Sequence, residues 1–158
     1  MNVLFVEDSE MCQTLVKSTT EKEFPIVRLT CCKTLAEARK LVEDAEVVIL
    51  DLGLPDADHD EVFEWITDCG KPVVIYTASQ DPEIAFECVR AGALNVVCKG
   101  SPSAQLVMGI YVAMAEFRLQ CDEIERRREL VERLEGVLTS WCGEFGKTLS
   151  SCHTQPAC

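Results

Sequence analysis

Four short runs rich in Val, Ile and Leu each lead into polar residues able to do chemistry. Glu7 and Asp8 follow Val3 to Val6, Asp51 follows Val47 to Leu50, Thr77 follows Val73 to Tyr76, and Lys99 follows Asn95 to Cys98. If those runs are neighbouring strands of one parallel sheet, the three carboxylates, the hydroxyl and the ammonium meet where loops leave the carboxyl ends of the strands. That edge is where open α/β sheets gather ligands. Clustered carboxylates repel one another unless a cation balances them, and an all-oxygen, partly hydrated ligand set suits Mg2+. Asp51 is then the candidate nucleophile, because a carboxylate attacking a phosphoryl group gives an acyl phosphate. Thr77 supplies a hydrogen-bond donor and Lys99 a positive charge for the oxygens on which negative charge accumulates. The first loop reads VEDSEM and has none of the glycines of a dinucleotide or P-loop phosphate cradle.

The four runs are too short for helices and are apolar throughout, as expected of parallel strands buried on both faces. A weaker fifth, Ile26 to Thr30, reads as a strand nearer an edge. Between the strands, apolar residues recur at helical spacing: Met11, Leu15 and Val16; Leu35, Ala38, Leu41 and Val42; Val62, Phe63 and Ile66; Ile84, Ala85, Cys88 and Val89. Thr34 with Glu37 makes a capping-box pattern at the second helix, Asp81-Pro82 opens the fourth, and Gly92 suits its end. Strict alternation predicts an α/β fold, a doubly wound five-stranded parallel sheet with helices on both faces.

From Ser103 the pattern changes to a long proline-free helical stretch. Ile110, Met114, Phe117, Cys121 and Ile124 follow a heptad seam, Arg128 falls within it, and Val131, Leu134, Leu138, Trp141 and Phe145 resume it one residue out of phase. Three segments are therefore expected: a sheet domain over 1–118, a projecting coiled-coil-like helix over 119–146, and a polar tail over 147–158. Unbroken from Leu106 to Phe145, the helix would be about 60 Å long. An apolar stripe on a lone helix predicts a homodimer through that helix.

The 158 residues carry a formal net charge of -12, from 15 Lys and Arg against 27 Asp and Glu, so the chain is repelled by nucleic-acid backbones and anionic lipid surfaces. No nucleic-acid or membrane partner is expected. The acidic N-terminus lacks the features of a signal peptide, which points to a cytoplasmic protein, and the 10 Cys read mostly as small buried thiols. Cys152, His153 and Cys158 in the tail form a weak metal-ligand pattern. His59 reads as a loop residue holding an unusual backbone angle, and Arg126 to Arg128, flanked by glutamates, as partners in ion pairs.

Taken together, Glu7-Asp8 after LFV, Asp51 in VVILDLGLPD, Thr77-Ala78 after VVIY and Lys99 after NVVC resemble a response-regulator receiver domain, over roughly residues 1 to 118. The resemblance implies that Asp51 accepts a phosphoryl group from the phosphohistidine of a sensor histidine kinase or histidine phosphotransfer protein. It further implies that Glu7, Asp8, Asp51 and the Gly53 carbonyl hold Mg2+, and that Thr77 and Lys99 contact the phosphoryl oxygens. Such a module is not an enzyme beyond self-directed phosphotransfer and autodephosphorylation. Against the family pattern, Val96 replaces the strand-five aromatic, Gly100 replaces the proline after the lysine, and His59 follows Asp58 where glycine is usual. Two other readings remain: a haloacid dehalogenase-like Mg2+-dependent phosphatase, whose second acid is missing from Asp51-Leu52-Gly53, and a non-phosphorylated scaffold with the same fold.

Overall fold

A computed structural model describes the backbone of residues 1–151 and the side chains of residues 1–139. Its elements run β1 (Asn2–Val6), α1 (Glu10–Glu23), β2 (Arg28–Cys32), α2 (Leu35–Leu41), a 3-10 turn (Val42–Asp44), β3 (Val47–Leu50), α3 (His59–Asp68), β4 (Val73–Thr77), α4 (Pro82–Arg90), β5 (Asn95–Cys98) and α5 (Ser103–Ser151). The strands form one sheet in the order β2-β1-β3-β4-β5, with every pair parallel. This is the doubly wound flavodoxin-like architecture, with a long C-terminal helix.

Period-two alternation builds the core twice. Leu4, Val6, Val48, Leu50, Val73 and Ile75 point to one face, where Leu35 and Ala38 of α2, Val62, Trp65 and Ile66 of α3 and Cys88 of α4 cover them. Val3, Phe5, Val47, Ile49, Val74 and Tyr76 point to the other, against Val16 of α1 and Leu106, Ile110 and Ala113 of α5. Gly109 permits the close approach of α5 to β5: a Cβ there would lie 3.1 Å from Val97 Cγ2.

Local chemistry sets the helix boundaries. Asp81 accepts the Glu83 amide and Pro82 opens α4, whose end carries a Schellman motif: Gly92, at φ +109°, bonds the Val89 carbonyl while the Ala93 amide bonds that of Cys88. A full capping box joins Asp58 and Glu61 at α3. At α2 only half of the expected box forms. Thr34 accepts the Glu37 amide, but the Glu37 carboxylate takes the Lys33 amide instead of that of Thr34.

Several expectations need correcting. The second strand begins at Arg28, because Arg28 pairs with Asn2 at the start of β1 and its amide bonds the Met1 carbonyl, while Ile26 is exposed. Met11 and Leu15 of α1 are exposed as well, so only Val16 of that apolar set enters the core. His59 adopts no positive φ; it is the first residue of α3, with its ring centroid 6.0 Å from that of Phe63.

The chain divides into two compact units, Met1–Arg118 and Leu119–Cys158. In the second, Leu130, Val131, Leu134, Val137 and Leu138 are exposed, and Arg128 pairs with Glu132 of its own helix (3.4 Å). Trp141, Phe145 and the Cys152, His153 and Cys158 pattern lie outside the residues whose side chains are described. Among the described residues no helix is long and apolar enough to cross a membrane.

Candidate functional site

The same alternation that buries Phe5, Ile49 and Val97 against α1 and α5 carries Glu7, Asp51 and Lys99, each two residues further on, to the same side of the strand ends. Ladder bonds continue past the strands to fix them there. The Glu7 amide bonds the Cys32 carbonyl (3.0 Å), the Asp51 amide that of Val6 (2.9 Å), and the Lys99 amide that of Thr77 (2.7 Å).

Lys99 Nζ sits between two carboxylates, 2.7 Å from Glu7 Oε2, 2.9 Å from Glu7 Oε1 and 2.8 Å from Asp51 Oδ2. Burial alone would lower the Lys99 pKa, but its hydrogen bonds to Asp51 and Glu7 outweigh that and hold the ammonium above its usual value. Glu7 is wholly buried, Asp51 is buried and Asp8 is exposed, with ligand oxygens of all three within 4.8 Å of one another. Three negative charges thus face one positive charge.

That surplus, and one atom in particular, fit a divalent cation. Glu7 Oε2 is ion-paired with Lys99 Nζ at 2.7 Å but accepts no hydrogen bond, the buried side-chain oxygen among the described residues that lacks one, which leaves it able to take a cation. Gly53 borders the same space: a Cβ there would stand 3.4 Å from Asp51 Oδ2, narrowing the approach to that oxygen. An all-oxygen set with a solvent-facing member is the donor chemistry Mg2+ favours.

Thr77 is buried at the end of β4, its carbonyl tied to Lys99. Its hydroxyl accepts the Ser79 amide (3.1 Å), which leaves the hydroxyl proton free to be donated. Among the described residues no hydrogen bond joins that hydroxyl to the Glu7, Lys99 and Asp51 network. After Lys99 the chain turns through Gly100 at φ +88°, a conformation that a proline cannot adopt. Tyr76 lies on the α1 and α5 side, edge-on to Phe5 at 6.0 Å, and burial pushes its phenol pKa up. Half-buried Val96 occupies the strand-five position.

Two supporting side chains escaped sequence reasoning. Gln13 Nε2 donates to the carbonyls of Glu7 (2.6 Å) and Cys32 (3.1 Å). Asp56, in the loop after β3, accepts the Leu35 and Ala36 amides at the start of α2 (2.9 and 3.0 Å). Neither bond leaves a local spacing to read. The Asp58 and Glu61 capping box also went unread, although an acid three residues before a glutamate is a local signal that could have found it.

Comparison with known proteins agrees with this geometry. The profile of the response regulator receiver domain matches residues 3–111. Transcriptional regulatory protein CutR of Streptomyces coelicolor is 31% identical over 109 residues, covering 68% of this chain and 50% of that protein. Protein-glutamate methylesterase/protein-glutamine glutaminase 2 of Anaeromyxobacter dehalogenans is 27% identical over 123 residues, covering 76% of this chain and 36% of that protein. The chain therefore spans half or less of these curated relatives. Among solved structures, the signal receiver domain of a Luxo repressor protein from Vibrio parahaemolyticus superposes with a TM-score of 0.67 at 27% identity, covering 78% of this chain and 96% of that one. A CheY-like receiver domain protein from Methanospirillum hungatei shares the fold at a TM-score of 0.63 and 20% identity, covering 75% of this chain and 97% of that one. With its parallel sheet, its acidic strand ends and a profile match across most of its length, the chain belongs to the response regulator receiver domain family.

Proposed function

We propose that Asp51 is the phosphoacceptor of a response regulator, taking its phosphoryl group from a phosphohistidine on a sensor histidine kinase or histidine phosphotransfer protein. The observation that carries this reading is the Lys99 ammonium held between buried Glu7 and Asp51, with Asp8 alongside. An Asp51 oxygen forms the new P–O bond as the P–N bond to the donor histidine breaks. Lys99 already lies within bonding distance of the nucleophile and turns to the phosphoryl oxygens once they arrive. Thr77 donates its free hydroxyl proton to the same oxygens. Glu7, Asp8, Asp51 and the Gly53 carbonyl would hold Mg2+, which supplies positive charge to the transferring group. The chain performs no chemistry on a separate substrate in this reading. Asp51-Leu52-Gly53 has no second acid at the place a haloacid dehalogenase-like phosphatase requires, which disfavours that alternative.

The helix beyond Arg118 is the second part of the proposal: its apolar face pairs with that of another copy. Leu130, Val131, Leu134, Val137 and Leu138 are 52–63% exposed, and burying such a side chain is worth about 1.5 to 3 kcal/mol. Ile124, about one and a half turns before Leu130, is exposed as well and extends the same apolar stripe toward the Glu123 and Arg127 ion pair (2.8 Å). Phosphorylation is tested by intact mass after incubation with acetyl phosphate and Mg2+. One phosphoryl group, released by hydroxylamine, is expected, and an unmodified or hydroxylamine-resistant protein would contradict the reading. Sedimentation tests pairing: a dimer that Leu134→Glu converts to monomer is expected, and a wild-type monomer at micromolar concentration excludes it.

A further inference from the structure

The bonds around Gln13 close a ring. The Glu7 amide donates to the Cys32 carbonyl, Gln13 Nε2 donates to that same carbonyl, and the same Nε2 donates to the Glu7 carbonyl. The backbone of Glu7 is thereby held on both sides, by β2 through its amide and by α1 through its carbonyl. The Glu7 carbonyl belongs to the peptide that joins Glu7 to Asp8, so the orientation of that peptide sets where both carboxylates can reach.

The rest of the corner is framed by the same helix. Ser9 caps α1, with its Oγ accepting the Cys12 amide (3.3 Å) and its carbonyl accepting the Gln13 amide (2.9 Å). Gln13 is thus fixed at its backbone to the residue after Asp8 and at its side chain to the residue before it. Asp8 itself is exposed and receives none of these bonds. Its position is inherited from the peptides on either side.

We infer that Gln13 is a positioning residue for the acidic cluster: its side-chain amide fixes the Glu7-Asp8 peptide in the orientation from which both carboxylates face a divalent cation shared with Asp51. This rests on the reading of the cluster as a cation site. A merely structural role, tying α1 to the sheet, would lower stability and leave cation affinity alone. A positioning role lowers affinity, as loss of an outer partner of a metal ligand generally does.

The experiment titrates the full chain with MgCl2 in a calorimeter, well below the melting temperature, and compares Gln13→Met and Val16→Ala with the wild type. Methionine keeps the length of glutamine and removes the donor. Val16→Ala removes buried volume from the same helix at a residue that makes none of the bonds around Glu7 and Asp8, and so supplies the purely structural comparison. The inference expects Mg2+ affinity about tenfold weaker in Gln13→Met and unchanged in Val16→Ala. Affinity within twofold of wild type in Gln13→Met, or an equal loss in Val16→Ala, overturns it. Should Gln13→Met fail to fold, Gln13→Asn, whose amide is one carbon short of the carbonyls, must show the same loss for the inference to stand. A wild type that takes up no Mg2+ instead sinks the cation site itself, an outcome distinct from a normal wild type with a normal variant.

Discussion

Replacing Lys99 by methionine removes the positive charge from a cluster that holds three carboxylates. Lys99 Nζ lies 2.7 and 2.9 Å from the Glu7 oxygens and 2.8 Å from Asp51, with Glu7 wholly buried. Breaking a buried ion pair from one side costs about 3–5 kcal/mol. The lower end applies, because the Lys99 side chain is 22% exposed and water reaches the cluster past Asp8, so about 3 kcal/mol is expected at pH 7. With a slope of about 1.5 kcal/mol per M urea, the unfolding midpoint falls by about 2 M. The cost comes from carboxylates that have lost their counter-charge. Mg2+ restores positive charge and narrows the gap at pH 7. Urea unfolding followed by circular dichroism at pH 7, with and without Mg2+, reads both effects. A variant within 0.5 kcal/mol of wild type at pH 7, roughly the ceiling for an inconsequential surface change, would refute the reasoning, as would a deficit indifferent to Mg2+.

The Asp56 carboxyl is held below its usual pKa: burial pushes upward, and the Ala36 and Leu35 amides, its own amide and Arg39 outweigh it. Asp56→Ala should therefore cost about 1 kcal/mol near neutrality, with the difference present above about pH 4 and disappearing as the pH falls through the depressed folded value; urea midpoints at pH 7 and pH 2.5 check it. Gly109→Leu should destabilise by about 2 kcal/mol in the same assay, because even a Cβ would stand 3.1 Å from Val97 Cγ2. At pH 7.5 iodoacetamide should label exposed Cys121 far faster than Cys12 or Cys32, whose thiols burial pushes up to about 11 and about 12, as peptide mass mapping will read.

The strand ends were legible for a physical reason. Runs apolar on both faces have little choice but the interior of a parallel sheet, and the polar residue that ends each run then falls on the ligand edge. Glu7, Asp8, Asp51 and Lys99 were readable in this way. β2 was less so, because an edge strand with alternating exposure takes its start from its partner, here Asn2 opposite Arg28. The apolar spacing of Met11 and Leu15 promised burial that α1 does not provide, since the helix turns Val16 and Thr20 inward instead. Gln13 and Asp56 were invisible because a side chain bonding backbone 19 or 21 residues away imposes no local pattern. Lys99 was read as mattering more to the phosphorylated state than to the fold, and its place between buried carboxylates adds an expected share in stability.

The central claim is that the phosphoryl group goes to Asp51, and reduction with borohydride tests it most directly. An aspartyl phosphate is reduced to homoserine, which marks the modified residue in a peptide mass map. After acetyl phosphate and Mg2+, homoserine is predicted at position 51 in the wild type and at no position in Asp51→Asn. Homoserine at Asp8 or elsewhere, or an Asp51→Asn protein that still takes up the label, would contradict the account.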